Sequence, residues 1–284
     1  MRVPLAALAA AFALAAAAAG AAPPVVAVEA VQYPAWLERS GASVPLEPGA
    51  ALAAGDRLRT GPDARARLRL SDGSSVKLGE DARFEIVYAD DGSVLRAGLR
   101  VLSGAFRYAT EGPAKPGRRA IDIAVKNVSA GIRGTDLWGK STDERDWVVL
   151  IEGRITVSSP GEPGVVLERP LDYYELPRGG TPRVRQVDPK ELGLWALETE
   201  MREDAAVGRT DGRWRVVAAR PGARGEAEAL ARRLREAGYP ARLEGEGASL
   251  AVVVPGLAGE AQARALAARL KREQGLDSPE AREG

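Results

Sequence analysis

The sequence predicts an all-β domain, a sandwich or roll, followed by a small α+β domain of ferredoxin-like order (β-α-β-β-α). Three observations carry this. Apolar and polar residues alternate in short runs between residues 25 and 180, turn dipeptides containing glycine separate those runs, and a βα unit occurs twice after Arg213. The alternation is clearest in Ala64-Arg65-Ala66-Arg67-Leu68-Arg69-Leu70, the pattern of a strand with one wet face.

At the N-terminus, Arg2 precedes the apolar run Val3 to Ala19 and the small-residue site Ala19-Gly20-Ala21. Residues 1–21 therefore read as a cleaved signal peptide, too short to favour a membrane span. The absence of cysteine excludes a lipid-anchored cysteine there, and no later stretch is apolar for long enough to cross a bilayer. These readings place the product in the periplasm of a bacterium, without stable transmembrane insertion. The full chain carries 40 basic and 39 acidic residues, so loss of Arg2 leaves it formally neutral. Neutrality argues against nucleic acid as a partner, which needs a basic surface to release counterions.

The β domain is expected over residues 25–180. Asp72-Gly73 and Asp90-Asp91-Gly92 are turn signals, since glycine accepts the positive φ of a tight hairpin. Strands are expected at Ser75–Leu78, Arg83–Tyr88, Leu99–Leu102, Ala105–Tyr108, Ile121–Val125, Trp147–Ile151 and Arg154–Ser158, with an exposed loop at Glu111–Gly117. Gly131 and Gly134 are expected to close a tight turn in which Thr135 bonds back to the backbone, although Arg133-Gly134-Thr135 could also serve as a recognition loop. Asp188-Pro189-Lys190-Glu191 is a helix start, with an N-cap aspartate and proline in the first turn. A connecting helix over residues 188–206 follows, with Leu194, Leu197 and Met201 on one face and Trp195 beside them. Gly208 to Gly212 reads as a linker.

Residues 213–284 form the second domain. Arg220-Pro221-Gly222-Ala223-Arg224-Gly225-Glu226-Ala227 recurs 34 residues later as Val254-Pro255-Gly256-Leu257-Ala258-Gly259-Glu260-Ala261. Each copy follows a strand and precedes an amphipathic helix. A final strand would fall at Leu276 to Arg282, where Pro279 and the charges make it a poor candidate.

Histidine and cysteine are both absent, so neither a nucleophilic triad nor a histidine-ligated zinc can be built. The aspartate-glycine clusters stop too early for a calcium loop, and no carboxylate pair is singled out by spacing. The expectation is a protein that is no enzyme and uses no cofactor and no metal.

The residues Gly55-Asp56, Thr60-Gly61, Leu70 with Asp72-Gly73, Val76 with Leu78, Gly104, Arg133-Gly134-Thr135 and Glu152-Gly153 resemble the FecR-type domain. That resemblance implies an exported β domain, which in some members relays a signal between an outer-membrane receptor and an inner-membrane regulator. This chain lacks the cytoplasmic anti-sigma segment. From Arg213 onward the sequence resembles a SPOR module, through Trp214, Val216, Pro221-Gly222, the helix Glu226–Ala237, Gly238-Tyr239 and the second copy from Leu250 to Leu270. That family implies binding to peptidoglycan glycan strands stripped of their peptides. Val217 stands where the family commonly has glutamine, and Pro221 where it has an aromatic.

Alternation sorts the second sheet. Trp214, Val216, Ala218, Leu243, Leu250, Val252 and Val254 face the helices, leaving Arg215, Val217, Arg242, Ser249, Ala251 and Val253 on an open face. Arg215, Arg242 and Ser249 are the glycan-binding candidates, and Val217, Ala251 and Val253 make an apolar patch that could pack on a protein instead. The expected function is non-enzymatic binding or scaffolding in the periplasm, with glycan strands and an unknown envelope protein as partners. The alternative is a signal-relay component whose C-terminal unit docks or dimerises.

Overall fold

The computed structural model describes residues 24–110, 119–132 and 134–284. The expected signal peptide, the expected loop Glu111–Gly117 and Arg133 lie outside the described residues. In chain order come β1 (Val26–Gln32), β2 (Ala35–Arg39), β3 (Ala42–Pro45), β4 (Ala51–Leu52), β5 (Arg57–Thr60), β6 (Arg65–Leu70), β7 (Ser75–Leu78), β8 (Arg83–Asp91) and β9 (Leu95–Ala109). Next are β10 (Arg119–Val125), β11 (Val128–Ile132), β12 (Asp136–Ser141), β13 (Arg145–Glu152), β14 (Ile155–Ser158), β15 (Val165–Leu167), β16 (Asp172–Pro177) and β17 (Arg183–Gln186). Helix α1 (Pro189–Leu197) and β18 (Val207–Arg209) lead to β19 (Trp214–Ala219), α2 (Arg224–Glu236), β20 (Arg242–Glu244), β21 (Ala251–Leu257), α3 (Glu260–Gln274) and β22 (Glu280–Glu283).

The N-terminal part is a sandwich. Its first sheet runs β1-β6-β7-β9-β12-β13-β16-β17. The second runs β3-β2-β5-β8-β9-β10-β11-β14-β15. Alternation decides what lies between them: Ala66, Leu68 and Leu70 of β6 are buried in the core while Arg67 and Arg69 face out. Strand β9 serves both sheets. In place of the two strands expected there, one strand of 15 residues turns from the second sheet into the first. Gly104 makes this possible, because its φ is +84° and a Cβ there would sit 2.6 Å from the Ala82 Cα.

Two details of the motif turn differ from expectation. Gly131 lies inside β11, extended and opposite Asp122 and Thr156, so Gly134 (φ +68°) makes the turn without it. The Thr135 hydroxyl is buried without a hydrogen-bond partner among the described residues. Its backbone carbonyl accepts instead from the Thr110 N–H at 3.1 Å, and its methyl fills the space beside Gly153.

Helix α1 begins as expected, with the Asp188 carboxylate accepting from the Lys190 N–H at 2.8 Å. Of the predicted apolar face only the flanking Trp195 packs inward, and Met201 lies beyond the helix end. Leu194 and Leu197 are 67% and 63% exposed, while Leu192 and Trp195 pack against the first sheet. The Trp195 ring stacks on Trp138 at 5.5 Å and meets Trp147 edge-on at 6.1 Å. One indole against an aromatic floor outweighs two leucines, since aromatic pairs add about 0.5–1.5 kcal/mol beyond their buried area. The helix stops at Leu197, and the chain continues as a strap across the outer face of the sheet. Glu198 bonds Lys140 at 2.7 Å, Glu200 meets Lys77 at 2.6 Å and Arg107 at 3.3 Å, and the Arg202 N–H donates to the Gln32 side chain at 3.0 Å.

The strap ends in β18. The expected linker therefore starts inside a strand that pairs with β1 (Val31↔Gly208) and touches β21 (Gly208↔Leu257). The Trp36 indole N–H donates to the Glu236 carbonyl at 2.9 Å, and Arg269 donates to the carbonyls of Tyr33 at 3.2 Å and Pro62 at 2.9 Å. Tyr33 and Tyr239 pack ring to ring at 6.4 Å. One apolar cluster runs from Leu68 and Val148 in the sandwich, through Tyr33 and Tyr239, to Leu234 and Leu266.

The C-terminal unit also completes its ferredoxin-like order. Strand β22 pairs with β19 from Trp214↔Glu283 to Val217↔Glu280, giving β-α-β-β-α-β where the sequence predicts no last strand. Pro279 lies just before the strand, where its missing N–H breaks no ladder bond. Ala281 packs on the core between Glu280 and Arg282, the arrangement a charged edge strand tolerates.

Candidate functional site

The C-terminal sheet has the order β20-β21-β19-β22. Helices α2 and α3 bury one face, where Val216, Ala218, Val252 and Val254 meet Ala227, Leu234, Leu266 and Leu270 as alternation predicts. The other face is covered neither by α1, which lies on the sandwich, nor by β22, which lies beside β19.

That face is not the exposed apolar patch expected from sequence. Val217, Ala251 and Val253 are 4%, 7% and 1% exposed and form their own small cluster. The reason is an arch. Strands β19 and β20 flank β21 on opposite sides, so the Arg215–Glu244 ion pair, 2.8 Å long, crosses over β21. The aliphatic stems of such side chains cover apolar surface while their charged ends stay wet.

Arg215 and Arg242 are thus brought to one face, and both are engaged. Arg242 bonds the Glu47 carboxylate, which follows β3 in the sandwich, so this candidate residue also ties the two units together. Ser249 is not on the face. It ends a short 3₁₀ turn (Gly247–Ser249), where its hydroxyl donates to the Glu246 carbonyl at 2.7 Å and accepts from the Glu246 N–H at 3.2 Å. It caps its own turn because the β-strand starts later than alternation suggested, at Ala251.

Sequence reasoning missed the carboxylates of this site. Glu244 shares a strand face with Arg242, two residues away, and that spacing was the available signal. On β22, Glu280 and Arg282 pair at 2.6 Å. The hydrogen bond from Arg282, then its charge, holds the Glu280 carboxyl below the usual carboxylate range. The face offers guanidinium donors and carboxylate acceptors around an aliphatic strip, which can hold a hydroxyl-rich or anionic ligand. Among the described residues no group of acidic side chains could hold a metal ion, and no helix is long and apolar enough to cross a membrane.

A β-sandwich strapped to a ferredoxin-like unit is the class of molecule this geometry defines. The family model described as FecR protein matches residues 56–156, and that of the SPOR domain matches residues 210–279. The chain carries a FecR domain followed by a C-terminal SPOR domain. No curated protein matches it. Two crystal structures, both described as an anti-sigma factor from Parabacteroides distasonis, are similar to it at low identity. One is 12% identical, covering 69% of this chain and 97% of that one with a TM-score of 0.41. The other is 11% identical, covering 77% and 91% with a TM-score of 0.42.

Proposed function

We propose that the chain is a non-enzymatic protein of the bacterial periplasm, exported by its N-terminal signal, whose SPOR domain associates with peptidoglycan glycan strands. The observation that supports this reading is the helix-free face of the SPOR sheet, where Arg215 and Arg242 are each held by one carboxylate, and the remaining N–H donors of each guanidinium would serve a polar chain. The FecR domain acts as a scaffold that receives an envelope protein. Retention of the purified chain on sacculi, before and after amidase treatment, tests the glycan role. Stronger retention after amidase, weakened by Arg215→Ala, is the expected result; equal retention or none overturns it.

A second reading, relay of a signal through the two domains, is favoured by the continuous strand β18 and the shared core. A ligand that shifts the SPOR sheet would then pull on β1 of the FecR domain. Removing residues 213–284 would expose Tyr33 and Trp36, so point variants serve better than deletion. Hydrogen exchange in β1 that changes on glycan binding supports relay, and unchanged exchange refutes it.

A further inference from the structure

The outer face of the second sheet carries an arginine cluster outside the SPOR domain. Register places Trp36, Arg59 and Arg83 in one row across β2, β5 and β8, and Glu38, Arg57, Glu85 and Arg100 in the next row, which ends on β9. Four guanidinium groups share two carboxylates there. Arg100 takes Glu85 at 2.9 Å, leaving Arg57 at 3.8 Å from it, and Arg59 lies 3.7 Å from Glu38. Arg83 has no carboxylate within ion-pair distance among the described residues. Arg59 and Arg83 stand directly opposite each other on neighbouring strands, and like charges so placed are destabilising. Arg57, Arg59 and Arg83, together with the Glu38 carboxylate, line a depression of about 140 Å³, and the Arg59 guanidinium lies 3.6 Å over the Trp36 ring.

A cationic row with more guanidinium groups than carboxylates, set around a depression, fits an anion. We infer that this face is an anion-binding subsite for carboxylates of a glycan strand, continuing the path of a strand held by the SPOR sheet; this rests on the glycan reading above. Removing the peptides from peptidoglycan frees a carboxylate on each lactyl group, so such a strand is a polyanion. Two observations favour a glycan over a lipid surface. The apolar residues beneath the arginines, Leu58 and Phe84, are 2% and 1% exposed, and the exposed Val87 and Tyr88 lie farther along β8, so the arginine rows themselves offer nothing for insertion into a bilayer. The β2–β3 hairpin that carries Trp36 opposite Pro45 leads directly to Glu47, the partner of Arg242 on the SPOR sheet.

The test compares the full chain with Arg57→Ser/Arg83→Ser and with Arg215→Ala, on amidase-treated sacculi at several salt concentrations. The arginine double variant should lose roughly tenfold in apparent affinity and show a shallower salt dependence. Converting the lactyl carboxylates to amides should bring wild type down to the level of that variant. If wild type is retained and the double variant matches it, the subsite is wrong while the glycan reading stands. If wild type is not retained at all, both fall. If wild type binds vesicles of phosphatidylglycerol as well as it binds sacculi, and the double variant loses both, the glycan assignment is overturned in favour of a lipid phosphate.

Discussion

The two sheets of the FecR sandwich are built from the same alternation yet treat their outward faces in opposite ways. The first sheet presents Trp138, Trp147 and Tyr173 beside Lys77, Arg107 and Lys140, and the chain's own strap covers them. The second sheet presents arginines around Trp36, and Arg57 and Arg83 are left exposed. The strap brings an indole to the tryptophans and two glutamates to the cations, so the charges of the first face are met from within. The second face keeps a surplus of positive charge that nothing in the described chain neutralises. The difference teaches that one face holds the molecule together and the other is open to a ligand.

The strongest way to break the comparison is to remove the strap's anchor. Trp195→Ala should lower unfolding stability by about 3 kcal/mol, near the bottom of the range for buried tryptophan because Trp195 is only half-buried. Leu194→Ala and Leu197→Ala, on the exposed side of the same helix, should each stay within about 0.5 kcal/mol. Urea denaturation of the three variants checks the ranking. Equal costs would mean that the orientation of α1 is wrong.

Beside β5 in the second sheet of the sandwich, Asp56 supplies an internal lock. It is buried and accepts from Arg39 at 2.7 and 2.6 Å and from the Ala53 N–H at 2.7 Å. Burial raises its pKa, but the hydrogen bonds from Arg39 and Ala53 and the charge of Arg39 together hold it below the usual range. A lowered carboxylate contributes stability that is present above its unfolded pKa and lost as pH falls through the folded value. Arg39→Ala should therefore cost about 2 kcal/mol near pH 7, less than a fully buried pair because Arg39 is half-exposed. The gap from wild type should close as pH falls below about 4. A cost independent of pH would assign Arg39 a packing role only.

Lys140→Met should cost about 0.5–1 kcal/mol, as expected for a partly screened pair with Glu198. In 1 M salt that cost should shrink, whereas the cost of Trp195→Ala should not. The contrast separates the strap's electrostatic contacts from its aromatic one.

Much of this was legible in the sequence, and the failures have particular causes. The strand β6, the Asp188 cap, the 34-residue repeat and the helix-facing half of the SPOR sheet follow from alternation and turn chemistry. Strand β9 was read as two because Gly104 looks like a break, while only the approach of Ala82 shows it to be a bend. The α1 face was misassigned because periodicity cannot tell which apolar stripe meets an aromatic floor. The Arg59–Arg83 opposition depends on pairing between strands, which no spacing along the chain reveals, although Arg57 and Arg59 already shared a face two residues apart. The shared core through Tyr33 and Tyr239 was hidden for the same reason, because its residues are far apart in sequence.

Arg83 gives the smallest expected effect on stability and the sharpest one on meaning. Its neighbour across the strand pair is Arg59, and it meets no carboxylate within ion-pair distance among the described residues. Replacing it by serine removes a like-charge opposition worth roughly a few tenths of a kcal/mol, so Arg83→Ser should be neutral or slightly more stable in thermal unfolding. An arginine kept only for solubility would show that same neutrality and no change in binding to peptide-free glycan. An arginine kept for an anion should cost affinity at the moment it stops costing stability. Added carboxylated glycan should then raise the melting temperature of the wild type more than that of Arg83→Ser, because only the wild type has the repulsion for the ligand to relieve.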